Sequence, residues 1–133
     1  MAGPFEDALE AAGRGDYVTA RRIWRQLAEQ GDASAQNNLG KMYGQGHGVP
    51  QNYAEAIKWW RKAAKNGVAD AQNSLGFEYA VGIRVNQDWV EANRWYARAA
   101  EQGHAKAQAN LGAMHGAGQG VSQDWAKSTN WYR

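Results

Sequence analysis

Cysteine is absent from the 133 residues, so neither a disulfide framework nor a thiolate metal site can form, and either redox compartment suits the chain. No apolar run approaches the ~20 residues that a membrane-spanning helix needs. The start, Met1-Ala2-Gly3-Pro4, has neither a basic n-region nor an apolar h-region. The expectation is a soluble chain, cytoplasmic, or periplasmic or exported if a signal has been removed. An excess of two positive charges is too small to mark a nucleic-acid footprint.

Catalytic and metal-binding patterns are missing too. His47, His104 and His115 form no H-E-x-x-H pair. His104 and His115 would stand about 16 Å apart along a helix, too far to share an ion. The serines show neither G-x-S-x-G nor S-x-x-K spacing. The glycines of G-H-G-V and G-Q-G-V follow no strand and precede no G-K-[ST], so they read as turn glycines rather than a phosphate loop. The expectation is no enzyme, no metal and no cofactor.

What the chain does have is seven tryptophans and six tyrosines, and they recur at a fixed interval. Gly31, Gly67 and Gly103 lie 36 residues apart, as do Ala35, Ala71 and Ala107; Gln36, Gln72 and Gln108; Leu39, Leu75 and Leu111; and Gly40, Gly76 and Gly112. The same offset relates Tyr53, Trp89 and Trp125; Trp59, Trp95 and Trp131; and Trp60, Tyr96 and Tyr132. A period of this length marks a solenoid, whose units bury their apolar faces by stacking.

Each unit reads as two helices. In helix A, over roughly residues 33–45, Ala35, Leu39, Met42 and Tyr43 recur at three and four residues and form one buried stripe. In helix B, Tyr53, Ala56, Ile57, Trp60, Ala63 and Ala64 share a face opposite Lys58, Arg61, Lys62 and Lys65. Asn52, Asp88 and Asp124 sit where N-caps belong, and Glu55 and Glu91 follow three residues later as capping-box partners; Lys127 breaks the third box. Glycine inside a helix costs ~1 kcal/mol relative to alanine, so the recurring Gly40, Gly76 and Gly112 predict that a neighbouring ring needs the space. Core packing is accordingly the reading of the aromatic rings.

Upstream, Tyr17, Ala20 and Trp24 fall on Tyr53, Ala56 and Trp60, so residues 16–30 are another helix B, joined to the stretch Phe5 to Ala12 by a tighter connection. At the other end the period runs past Arg133, which suggests a fragment whose open end could self-associate.

The unit A-x-A-Q-x-x-L-G-x-x-Y-x-x-G-x-G-V-x-Q-[ND]-[YW]-x-E-A-x-x-W-[WY]-x-[KR]-A-A-x-x-G, read from residues 33–103, resembles the Sel-1-like repeat, a relative of the tetratricopeptide repeat. The resemblance implies an all-α fold, a right-handed α-solenoid of antiparallel helix pairs with about eight helices. One domain, 1–133, would comprise a tetratricopeptide-like hairpin over 5–30, repeats over 31–66 and 67–102, and a third, truncated repeat over 103–133. It further implies A helices on a concave inner face, B helices outside, and a role as adaptor in bacterial signalling, envelope assembly or host interaction. Cysteine-rich relatives have been linked to β-lactam binding or hydrolysis; this chain has neither cysteine nor a candidate serine motif. Two positions depart from the pattern. Arg84 replaces the glycine found at Gly48 and Gly120, so that loop is strained or differently shaped if the position needs positive φ. Val68 stands where Asp32 could cap helix A, and valine cannot cap.

Positions that vary between units are free of packing duty and are the candidate contact residues. On the A helices these are Asn37, Lys41 and Gln45, then Asn73, Phe77 and Val81, then Ala109, Ala113 and Ala117, with Phe77 and Val81 as the anchor for a protein or peptide. The alternative is binding of an acidic protein or nucleic acid by the basic B helices, through Arg21, Arg22, Arg25, Lys58, Arg61, Lys62, Lys65, Arg94 and Arg98. A solvated outer face is the simpler reading of those cations.

Overall fold

A computed structural model of the protein describes residues 3–117. They form seven helices and no strand: α1 (Pro4–Gly13), α2 (Tyr17–Glu29), α3 (Ala33–Gln45), α4 (Tyr53–Lys65), α5 (Ala69–Val81), α6 (Trp89–Glu101) and α7 (Ala105–Ala117). The all-helical expectation holds. The expectation of an eighth helix falls on residues that include Trp125, Trp131 and Tyr132 and lie outside the described residues, as do Asp124, Lys127 and the C-terminal end to which self-association was assigned. The chain folds as two compact units, Met1–Asn66 and Gly67–Arg133.

In the first unit, Ala8 and Ala11 of α1, Ala20, Trp24 and Ala28 of α2, Ala35, Leu39 and Met42 of α3 and Trp59 of α4 make one core. Alanine at so many contact points lets the helices approach closely enough for the rings to fill the remaining space. The helical glycine is the clearest case: a Cβ on Gly40 would fall 2.6 Å from Trp60 Cδ1. In the second unit a Cβ on Gly76 would fall 2.8 Å from Tyr96 Cδ1, so the ring expected to need the space is present in both. There Ala92, Tyr96, Ala99 and Ala100 of α6 close on Ala107, Leu111 and Met114 of α7.

The recurring glutamines tie successive helices together. Gln36 Nε2 donates to the Ala28 carbonyl and Gln108 Nε2 to the Ala100 carbonyl, each at 3.1 Å, a second bond to an acceptor that the turn ending the preceding B helix already uses through Gly31 N or Gly103 N. Asn66 Nδ2 donates to Gln36 Oε1 and Gln102 Nε2 to Gln72 Oε1, the same bridge one period on.

Caps follow the sequence at the side chain but not throughout. Asn52 Oδ1 accepts from Glu55 N and Asp88 Oδ1 from Glu91 N, at 3.1 Å each. The reciprocal half of the capping box is replaced: Asn52 N donates to the Tyr43 carbonyl and Asp88 N to the Tyr79 carbonyl, so the last turn of the preceding A helix claims that donor. Asp32 caps α3 through Ala35 N, whereas α5, begun by Val68, has no side-chain cap. The connection between α1 and α2 spans only Arg14, Gly15 and Asp16, tighter than the loop after α3 as expected.

The Arg84 loop resolves as differently shaped. Gly48 has φ +74°, while no residue other than glycine has positive φ among the described residues, so Arg84 avoids that conformation. Its guanidinium instead forms a bidentate pair with Glu78, Nε to Oε1 at 2.6 Å and Nη2 to Oε2 at 2.7 Å. Glu78 is 3 % exposed and occupies the buried position held by Met42 and Met114 in the flanking repeats. Two departures in one repeat thus compensate each other: a buried carboxylate requires a partner, and the loop supplies it.

Candidate protein-binding face

The candidate stripe of α3 winds across the helix surface. Eight residues at about 100° each advance the stripe by about 80° beyond two full turns, so its ends face different surroundings. Asn37 is accordingly buried and is no contact residue, a correction to the expectation, whereas Lys41 and Gln45 are exposed. Lys41 and Gln45 also border a cavity of about 150 Å³. Its walls are Ala12, Tyr17, Trp24, Asn38, Lys41, Met42, Gln45 and His47. The Tyr17 and His47 rings stack with centroids 4.8 Å apart and planes inclined by 29°.

In the second unit the same winding leaves Asn73 half-buried, where its Oδ1 accepts from Asn110 Nδ2 of α7 at 3.1 Å. That bond ties two A helices side by side near their N-terminal halves. Beyond it Phe77 is 49 % exposed and Val81 37 %, and Ala109, Ala113 and Ala117 of α7 are exposed as well. The structure therefore places all three alanines and the Phe77–Val81 pair in one unit, on helices joined by a direct hydrogen bond.

Four of the B-helix cations lie over tryptophan rings of their own helices. Lys58 and Lys62 Nζ lie 5.4 and 4.8 Å from the Trp59 ring centroid, and the Arg94 and Arg98 guanidinium carbons 6.0 and 4.9 Å from that of Trp95. Cations one residue before and three after each tryptophan lie over its ring, a cation–π arrangement of about 0.5–1 kcal/mol per contact at exposed sites. Lys58 and Arg94 also reach Glu55 and Glu91.

Among the described residues no three His, Asp or Glu side chains gather as a metal site. His104 serves α7 as its cap, Nδ1 accepting from Ala107 N at 3.1 Å while Nε2 meets Asp70 Oδ1 at 2.8 Å. His115, standing where other units have tyrosine, is buried. No described helix is long and apolar enough to cross a membrane.

The Sel1 repeat family model matches residues 11–32, 33–68, 69–104 and 105–133. The chain belongs to the Sel1 repeat family. Among solved structures, a Sel1 repeat protein from Oxalobacter formigenes is 42 % identical at TM-score 0.76, with 82 % of either chain covered. A protective antigen present in uropathogenic Escherichia coli strains, displaying an SLR fold, is 40 % identical at TM-score 0.90; the alignment covers 98 % of this chain and 29 % of that one. Cysteine-rich protein B of Helicobacter pylori is 20 % identical at TM-score 0.63, with 84 % of either chain covered, a likeness of fold. No curated protein matches the sequence. Sel1 repeat folds generally serve as protein-interaction scaffolds.

Proposed function

We propose that this Sel1 repeat chain binds a protein or peptide through the exposed residues of its A helices, without carrying out a reaction. The observation that carries the reading is Phe77, an aromatic side chain half exposed on α5 one turn before the exposed Val81. Soluble proteins seldom leave a large ring and a branched aliphatic side chain adjacent on a helix face without a use for them, and such pairs anchor helix or peptide partners. Phe77, Val81, Ala109, Ala113 and Ala117 would supply apolar contact, with Lys41 and Gln45 contributing polar contacts in the first unit. The small alanines would let a partner backbone approach α7 closely. The basic B helices are the weaker candidate, because Lys58, Lys62, Arg94 and Arg98 already cover tryptophan rings.

The test is affinity capture from the source organism's lysate with parent, Phe77→Ala and Arg61→Glu chains, identifying bound proteins and nucleic acids. A defined protein captured by the parent and by Arg61→Glu but lost with Phe77→Ala supports the A-helix site. Capture indifferent to Phe77→Ala and abolished by Arg61→Glu refutes it and assigns binding to the B helices.

A further inference from the structure

We propose that the cavity framed by α1, α2, α3 and the loop after α3 seats one aromatic side chain of a peptide whose adjacent residue is acidic, a second site beyond the A-helix face above. Size is the first argument. The cavity holds about 150 Å³, and an engineered apolar cavity of that volume takes up benzene.

The chemistry of the walls narrows the occupant further. Tyr17, Trp24 and His47 present rings and Met42 a thioether, and a guest ring packs edge-to-face or offset on such walls while a polarisable sulfur adds contact at its edge. Asn38, Lys41 and Gln45 add polar groups from one side of α3, the arrangement of an apolar pocket with a few orienting groups. The lining contains a lysine and no carboxylate, so the charge it favours in a neighbouring ligand residue is negative.

The pocket is also built rather than incidental. Gly48 has φ +74°, and a Cβ there would fall 2.5 Å from Tyr17 Cβ, so only glycine lets the loop close on α2 and bring His47 over Tyr17. The next repeat has Arg84 at the position of Gly48, Ile83 at that of His47 and Phe77 at that of Lys41. The cavity's chemistry therefore belongs to the first unit and is distinct from the Phe77 surface.

The probe is the blocked tetrapeptide acetyl-Gly-Asp-Phe-Gly-amide, titrated into the isotope-labelled full chain and followed by amide shifts. Saturable shifts at Ala12, Tyr17, Lys41, Gln45 and His47 are expected. Replacing the peptide's Phe by Ala should weaken binding about tenfold, because the ring supplies the buried area, and replacing Asp by Lys about threefold, the range of an exposed charge contact. Lys41→Glu should reverse the preference between the Asp and Lys peptides, and Ala12→Leu, which narrows the cavity from the α1 side, should abolish the shifts while spectral dispersion shows the fold retained. Equal binding of the Phe and Ala peptides overturns the proposal, as does an unchanged charge preference in Lys41→Glu. Shifts confined to α5 and α7 would overturn it while leaving the protein-binding reading intact, and shifts nowhere would overturn it while the Phe77→Ala capture decides that reading separately.

Discussion

Removing Arg84 should expose how much the second repeat depends on its buried carboxylate. Breaking a fully buried ion pair from one side costs about 3–5 kcal/mol, because the remaining charge is left unpaired. Here the Glu78 side chain is 3 % exposed but that of Arg84 is 30 % exposed. Water can replace part of what the guanidinium gives, so Arg84→Gly should destabilise by about 2–3 kcal/mol. Glu78→Met frees an arginine that is already near solvent and puts at the buried position the residue found at Met42 and Met114, so it should stay within about 1 kcal/mol of the parent. The double variant Glu78→Met/Arg84→Gly restores the pattern of the flanking repeats and should also lie within about 1 kcal/mol, giving a coupling of roughly 2 kcal/mol. Urea denaturation followed by helical circular dichroism measures all four corners of the cycle. Additive effects, or an Arg84→Gly chain as stable as the parent, would refute the claim that the two departures are one compensated unit.

Three further outcomes follow from the geometry. Gly40→Ala places a Cβ 2.6 Å from Trp60 Cδ1 and should cost about 1–2 kcal/mol even after the gain in helix propensity, whereas Gly44→Ala, whose Cβ would stand 3.3 Å from Trp60 Cη2, should be nearly neutral by thermal melting. Asp32→Ala should cost about 1 kcal/mol through loss of the α3 cap, and Val68→Ala should cost clearly less than that through its helix terminus, since no cap bond is lost. Burial, and secondarily the Glu78 charge, raises the Tyr96 hydroxyl from the ordinary 10 to about 12. Because the folded value lies above the unfolded one, its contribution to stability is intact below pH 10 and is lost as pH rises through 12; tyrosinate absorbance of Tyr96→Phe against the parent should show one late-ionising group removed.

Periodicity made the helix pairs legible, because each core position recurs with the same chemistry: Leu39 and Leu75 are fully buried, and Gly40 and Gly76 each meet the ring one period apart. Departures from the period were visible as departures, but their resolution was not. Arg84 drew notice for replacing a glycine, while Glu78 at a methionine position, six residues earlier, was the signal that would have paired it. Asn37 was misassigned because comparison between repeats says that a position varies, not which way it points, and a four-residue stripe drifts round the helix. The cavity lined by Trp24, Met42 and His47 joins residues from three helices and a loop, so no local pattern announces it. The stacked Tyr17–His47 pair depends on the path of that loop around Gly48.

The central claim, that the A helices carry the binding face, is tested most directly by site-specific photo-cross-linking. A photoreactive phenylalanine analogue placed at position 77, 81 or 113, with position 61 on a B helix as comparison, should give adducts to one and the same protein from the three A-helix positions and none from position 61. Adducts formed from position 61 alone would contradict the account and move the binding face to the B helices.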